Sequence, residues 1–385
     1  MLCLYDNFNA QIKILEKEEN KVGSDSSTVK AVDILFKNAL ALNSSDIHID
    51  FDNDRCNIRF RIDGILNNIG SVSVDLGIRV ISRVKVLSGM DITQTRMPQD
   101  GRKTIIFNNK KIDIRVSTLP AKYGESVVLR LLPKDYLGLD LNELGLLEEN
   151  YRKVLNIILK KRGIVLVVGP TGCGKTTTLY AILKHINDSL LNIVSLEDPI
   201  ECDLPFVRQS QVKSDLGFTF SNALRSVLRQ DPDVIMIGEI RDEETLNIAF
   251  KAALTGHMAF STLHTTDTIE TISRLREMGL PNYIISAALK GVVSQRLARK
   301  ICSECNGAGC DKCNYNGLKG RIGLFEVLEI GENIASNILN NCSINNIKNN
   351  LINNGFCTII DDALIKNKDN IINKDEILRV FGTYG

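Results

Sequence analysis

Gly169, Gly172 and Gly174, followed at once by Lys175 and Thr176, are the residues of this sequence best suited to chemistry. Glycines at this spacing let the backbone curl so that successive N–H groups point into one concavity, where they cradle phosphate oxygens. Lys175 places a point charge near the terminal phosphates, and Thr176 offers a hydroxyl to a magnesium ion. The pattern GxxxxGK[ST] carries this meaning only between a strand and a helix. Both are present. The run Ile164 to Val168 has the length and β-branched content of a strand buried on both faces, and Thr177 to Ile186 reads as a helix whose N-terminal dipole favours the anion.

Three further clusters carry chemistry. In Ser195-Leu196-Glu197-Asp198-Pro199-Ile200-Glu201, acidic side chains emerge at the end of a buried strand, where parallel sheets bind ligands. In Asp231 to Asp242, the apolar strand Val234 to Ile237 delivers Gly238 and Glu239 to the same edge as the phosphate loop, a suitable place for a carboxylate that polarises an attacking water. The third cluster holds His257 and His264, two of the four histidines in the chain. A histidine at the end of a strand beside a nucleotide donates a hydrogen bond to the terminal phosphate; a lone strand histidine is more often structural, and finding two together weakens that alternative.

Farther on, Cys302-x-x-Cys305 is followed by Cys310-x-x-Cys313. Two such pairs supply four thiolates in knuckle geometry, enough for a closed tetrahedral zinc site. A redox-active or metal-free quartet is the alternative. The remaining cysteines include Cys173, inside the phosphate loop, which fits a reducing cytoplasm better than a disulfide scaffold.

The elements that must position these groups fall into two patterns. Before Leu139 the chain reads as α+β: a helix from Ser26 to Leu42, alternating strands around Ile47 to Phe51 and Ile58 to Ile62, a helix from Val74 to Leu87, and strands at Thr104 to Phe107, Lys111 to Ser117 and Ser126 to Leu132. Beyond Leu139, short apolar strands at Ile164 to Val168, Ile193 to Leu196, Val234 to Ile237 and Met258 to Leu263 alternate with helices, the signature of a parallel sheet wound on both faces. The expected division is a flexible leader over 1–25, an α+β domain over 26–138, a phosphate-loop core over 139–300, a four-cysteine zinc element over 301–320 and a helical region over 321–385. With 385 residues and a net charge of +1, the chain is long enough for two or three domains and gives no reason to expect a polyanion partner. No basic run flanks the cysteines, so a nucleic-acid-binding zinc module is disfavoured. No apolar run approaches the roughly 18 residues of a membrane span, and no charged start leads into an apolar signal stretch, so the reading is a soluble, unsecreted protein without a transmembrane segment.

Taken together, GPTGCGKTTTLY, EDPIE, LRQDPDVIMIGEIRD and TGHMAFSTLHT resemble the secretion-ATPase superfamily, and more narrowly the assembly ATPases of type IV pili, type II secretion and DNA-uptake machines. The first domain agrees through SDIHID, IRFRIDG, RMPQDGR and RVSTLPAKYGESVVLRLL, so the resemblance runs from about Ser44 to Leu328. It implies a RecA-like P-loop NTPase domain preceded by a smaller α+β, PAS-like domain, and a homo-hexameric ring motor that hydrolyses ATP with magnesium. Gly169, Pro170, Thr171, Gly172, Cys173, Gly174, Lys175, Thr176 and Thr177 would hold the nucleotide. Glu239 would be the catalytic glutamate of the second nucleotide motif, with Glu197, His264 and Lys175 completing the site. Arg59, Arg61, Arg96 and Arg102 of the first domain would approach the phosphates, where the guanidinium fork pairs bidentately with oxygen.

The resemblance also strengthens zinc at the cysteine quartet, although only four residues separate the pairs where relatives usually carry a larger insert. It implies a cytoplasmic protein held at the inner membrane by contact with a polytopic platform protein. Thr266 stands where Asn is common, and its hydroxyl is expected to substitute by bonding locally. Larger relatives have a further N-terminal docking domain, which the short leader does not supply. Two other readings stay open: a retraction ATPase of the same superfamily, against which the cysteine quartet counts, and a regulatory ATP-binding module with little turnover, against which Lys175 and Glu239 count.

Overall fold

Alternation of apolar and polar residues over Asp46–Phe51 (β1), Arg55–Ile62 (β2), Lys110–Ala121 (β5) and Gly124–Pro133 (β6) gives each strand one buried face. These strands join Ile65–Ser73 (β3) and Gln99–Phe107 (β4) in an antiparallel sheet of order β3-β2-β1-β6-β5-β4. Alternate residues such as Ile47, Ile49, Ile58, Phe60, Ile114, Val127 and Leu129 form one core with the helices Ser24–Ala41 (α1) and Val74–Leu87 (α2). Asp63 and Gly64, both at positive φ, make the two-residue turn from β2 into β3, an Asp-Gly hairpin that the alternation in β3 is too weak to announce. The computed structural model describes residues 24–107, 110–133, 139–187, 190–205 and 207–382, together with 8, 10–12 and 14. The leader over 1–25 lies largely outside the described residues. Of those within it, Phe8 and Ile12 are buried in this first core, Phe8 edge-on to Phe60, so the leader contributes apolar side chains to the domain rather than standing off it.

The second unit is built on seven strands in the order β13-β12-β7-β11-β10-β8-β9, with β7 (Gly163–Val168) near the centre. Its neighbours are β8 (Ile193–Glu197), β9 (Val207–Gln211), β10 (Val234–Ile237), β11 (Met258–Leu263), β12 (Leu289–Ile301) and β13 (Leu318–Glu329). All pairings from β12 across to β9 are parallel. Successive residues point to opposite faces, and both faces are covered. Ile164, Leu166 and Val168 pack with Phe220–Val227 (α5), Glu243–Leu254 (α6) and Asn282–Ala288 (α8); Val165 and Val167 pack with Glu148–Ile158 (α3) and Lys175–Ile186 (α4). This is the doubly wound sheet with helices on both faces that the strand–helix alternation indicates.

Two boundaries differ from expectation. Residues 321–385 are not helical throughout: β13 occupies their start, and only Glu332–Leu339 (α9), Ile344–Asn353 (α10), Ile359–Lys368 (α11) and Lys374–Phe381 (α12) are helices. Apolar side chains Leu324, Phe325, Val327 and Leu328 are buried at the sheet, which makes a strand of the first part of the region expected to be helical. The cysteine segment, expected as a separate element after the ATPase core, groups with the first unit as residues 301–320 beside 1–136. The Gly320 N–H donates to Asp63 Oδ2 in the β2–β3 turn at 2.9 Å, a contact across 257 positions that local sequence cannot reveal.

Candidate functional site

Parallel pairing fixes where the candidate side chains emerge. Val168 is level with Leu263, and Ile237 is level with both Leu196 and Ser261, so the carboxyl ends of β7, β8, β10 and β11 share one edge. Glu197 ends β8, Glu239 and His264 follow β10 and β11 directly, and the phosphate loop leaves β7. Sheets of this kind bind ligands at that edge.

The loop depends on its glycines. Gly169 sits at φ +144°, and a Cβ there would lie 2.5 Å from the Gln295 carbonyl oxygen and 2.7 Å from Cys173 Sγ. Gly174, at φ +92°, is the left-handed residue before α4. Gln295 of β12 accepts from the buried Thr178 hydroxyl at 2.6 Å, which pins the first turn of α4 to the sheet. Lys175 Nζ donates to the carbonyls of Gly169 and Pro170 at 2.9 and 3.1 Å, and burial pushes its pKa down. Thr171, Gly172 and Thr176 are exposed, Thr177 is half-buried, and Cys173 is buried, its thiol pushed up by that burial.

Glu239 is 19% exposed and bridges two groups. Its Oε1 pairs with Arg241, and Oε2 lies 3.8 Å from His264 Nε2. The pairing with Glu239 pushes the Arg241 pKa up. The strand ends are fixed by bonds around these groups: Gly238 N–H to the Leu196 carbonyl at 2.7 Å, Thr262 hydroxyl to the Gly238 carbonyl at 2.7 Å, and Ile240 N–H to the Thr262 carbonyl at 3.1 Å. Glu239 also acts electrostatically on Lys175, so Lys175, Glu239 and His264 lie at one edge of the sheet.

Glu197 stands apart from that trio in character. It is 2% exposed, and its carboxylate accepts from Ser195 at 2.5 Å, from Gln209 at 3.0 Å and from Tyr180. A carboxylate with three donors around it is a fixed buried acceptor rather than an open base. Burial of the Tyr180 phenol, and after it the Glu197 carboxylate to which it donates, hold that phenol well above its ordinary pKa. Sequence reasoning missed Gln209 and gave Tyr180 and Ser195 no role as donors to Glu197; the three lie on three elements, and the alternation of Ser195 with Glu197 along β8 is the one local signal that those two share a face. His257 is likewise separated from His264: it lies at the opposite end of β11, where its Nδ1 meets the Ala252 carbonyl at 3.0 Å and closes the end of α6. Thr266 bonds locally as expected, through its hydroxyl to Glu270.

The four arginines of the first unit divide into pairs. Arg59 is bonded to Asp50 at 2.5 Å, and Arg61 to the Gly64 carbonyl at 3.1 Å with Asp46 at 3.6 Å, so both have partners within their own sheet. Arg96, in the loop before β4, and Arg102, on β4, have exposed side chains with no bond or ion pair among the described residues.

In the cysteine segment the sulfurs of Cys302, Cys305, Cys310 and Cys313 all lie within 4.8 Å of one another. Measured pairs are 3.9 Å for Cys302 and Cys310, 3.7 Å for Cys305 and Cys313, and 3.8 Å for Cys310 and Cys313. Four thiolates about 2.3 Å from a tetrahedral zinc stand about 3.8 Å apart, so the donor set fits that ion. After each pair the chain reverses through left-handed residues, Asn306-Gly307 and Asn314-Tyr315. Backbone N–H groups of Gly309 and Cys310 donate to the sulfurs of Cys305 and Cys313 at 3.2 Å, which favours thiolate ligands.

A sequence model of the family described as "Type II/IV secretion system protein" matches residues 21–379. The chain is 40% identical to the type II secretion system protein E of Dickeya dadantii over 92% of this chain and 76% of that protein. It is 38% identical to the type II secretion system ATPase E of Vibrio cholerae over 97% and 80%. Among solved structures, the pilus retraction motor PilT with bound ADP superposes with a TM-score of 0.63 at 26% identity, covering 90% of this chain and 95% of that one.

Proposed function

The chain belongs to the type II/IV secretion system protein family, and on that premise we propose how its site hydrolyses ATP and what the hydrolysis drives. It is a secretion ATPase, as its relatives are. The observation that carries the reading of the site is the meeting of Lys175, Glu239 and His264 at one sheet edge, with His264 Nε2 3.8 Å from Glu239 Oε2.

In this reading the N–H groups of Gly169 to Thr176 and the Lys175 ammonium bind the phosphates, Lys175 exchanging its loop carbonyls for phosphate oxygens. Thr176 would hold magnesium, whose charge neutralises the bound phosphates. Glu239 orients the attacking water and takes its proton at Oε2, the oxygen not held by Arg241, while His264 donates to the terminal phosphate. Glu197 acts by position, anchoring β8, β9 and α4 through its three donors. Arg96 and Arg102 are better suited than Arg59 and Arg61 to meet phosphate, because the latter are already engaged. Zinc would be held by Cys302, Cys305, Cys310 and Cys313, closing that loop.

At the level of assembly, the chain works as a homo-hexamer in the cytoplasm, against a platform protein of the inner membrane, and powers assembly of a type II secretion pseudopilus or a related filament. The cysteine quartet favours assembly over retraction. Steady-state hydrolysis by the purified chain beside Glu239→Gln tests the chemistry. Turnover falls at least about 100-fold in the variant while nucleotide affinity persists, and zinc analysis of the same samples gives about one ion per chain. A parent that binds ATP without turning it over would instead support the regulatory module.

A further inference from the structure

Arg296, which follows Gln295 on β12, is used by none of the roles above, yet it lies between the phosphate loop and the histidine turn. Its Nη1 stands 3.2 Å from where a Gly169 side chain would begin, so the guanidinium lies alongside the first glycine of the loop. The same Nη1 donates to the Gln295 carbonyl at 2.9 Å, and Nη2 donates to the Thr266 carbonyl at 2.7 Å. Ser294 donates to that Thr266 carbonyl as well, at 3.2 Å. Both acceptors of Arg296 are neutral. Burial outweighs the favourable effect of the nearby Glu326 and Asp267 carboxylates on Arg296, and with a second cation at Lys175 in the same field this is an arrangement that a bound anion relieves. Burial lowers the pKa of both cations, and each carries an electrostatic effect of its neighbourhood: Arg296 acts on Lys175, and Cys173, Glu326 and Asp267 act on Arg296.

The far side of this contact is the turn that carries His264. Thr266 is two residues beyond His264, and its N–H is held by Glu270 at 3.0 Å. Asp267 then caps Thr268–Glu277 (α7), accepting from the N–H groups of Ile269 and Glu270 at 3.0 and 2.6 Å. Glu326 of β13 accepts from both the N–H and the hydroxyl of Thr268, at 3.1 and 2.6 Å, and from the Ile359 N–H at 3.2 Å. One carboxylate therefore ties the start of α7 to the start of α11. A planar guanidinium with donors in a fixed fork suits a link between two backbone segments, because it cannot turn toward one without moving on the other.

We propose that Arg296 is a positioning residue, coupling occupancy of the phosphate loop to the placement of the His264–Asp267 turn. The proposal rests on the ATP-binding reading. Anion binding at Gly169 to Thr176 draws the guanidinium's unused donors toward phosphate while Nη2 keeps the Thr266 carbonyl, and the turn settles with His264 toward the terminal phosphate.

Hydrogen exchange of the full chain, with and without a non-hydrolysable ATP analogue and magnesium, reads the coupling without turnover. In the parent, the analogue slows exchange in peptides covering 169–176 and 264–270. Arg296→Gln keeps the first protection and loses the second; Arg296→Lys, which keeps a charge without the fork, loses most of it. In hydrolysis assays kcat for Arg296→Gln falls about 10- to 100-fold with KM for ATP changed less than about threefold. Combined with His264→Ala, the loss is far less than the product of the two single effects. Retained protection at 264–270 in Arg296→Gln overturns the proposal, as does a raised KM with unchanged kcat, or independent effects in the double variant. A parent protected only at 169–176 overturns it while leaving ATP binding intact; a parent protected at neither segment overturns both.

Discussion

Two single residues decide how well the site is held. Gly169 has no room for a side chain, because φ is +144° and a Cβ would meet the Gln295 carbonyl at 2.5 Å. Replacing it with Ala therefore displaces the loop from β12, and nucleotide affinity falls at least about tenfold, measurable by titration with a fluorescent ADP. Tyr180 is the second. Its hydroxyl is one of three donors to a Glu197 carboxylate that solvent does not reach. Tyr180→Phe leaves the ring packing in place but removes that donor, which lowers unfolding stability by about 1–3 kcal/mol in a denaturant titration. Neither requirement was legible locally: the glycine motif marks Gly169 as a loop residue, but the carbonyl that excludes Ala belongs to a strand more than 100 positions away.

Among the elements, α12 and the cysteine knuckle are each held by one cluster. Glu376 of α12 is fully buried and accepts from the Arg299 backbone and guanidinium at 2.8, 2.8 and 2.5 Å and from Arg379 at 2.7 to 3.0 Å. Burial pushes its carboxyl up, but the bonds from Arg379 and Arg299 more than offset this and leave the pKa below its usual 4.5. A folded-state pKa below the unfolded one means that the stabilisation is present above about pH 4.5 and is lost as pH falls through the folded value. Protection of α12 amides, taken relative to their intrinsic exchange rates, thus falls on acidification below pH 4.5, and Glu376→Gln removes that dependence while loosening the helix at neutral pH. For the knuckle, the sulfur separations of 3.7 to 3.9 Å match one tetrahedral ion. Chelation or Cys310→Ser is expected to speed exchange over 302–317 and to leave β7 and α4 protected, because a metal held by the four cysteines would close a loop grouped with the first unit rather than a part of the nucleotide sheet.

The whole molecule is two folded units, the first with a core against its antiparallel sheet and the second with cores on both faces of its parallel sheet. If arginines of the first unit complete the site only within a ring, turnover per chain rises with protein concentration and tracks the hexamer fraction in light scattering. Arg102→Ala should then lower kcat without dissolving the ring, since its side chain is exposed and has no partner among the described residues. A specific activity independent of concentration down to the monomer would remove the ring from the mechanism.

Periodicity and motif spacing alone pointed to an α+β stretch ahead of a strand–helix alternation, to the buried strand before the phosphate loop, and to the chemistry expected of Lys175, Thr176, Glu239 and the four cysteines, because each rests on residues close together in the chain. Strands β9, β12 and β13 and the hairpin partner β3 were not legible, since their places depend on sheet neighbours rather than on a pattern of their own. Parallel register, which no local stretch encodes, brought Glu239 and His264 to one edge and sent His257 to the other. Burial then distinguished the carboxylates. Glu197 lies beneath three donors from different elements and Glu239 is partly exposed between Arg241 and His264, a difference that two glutamates at strand ends do not carry in their sequence and that only the packing around them decided.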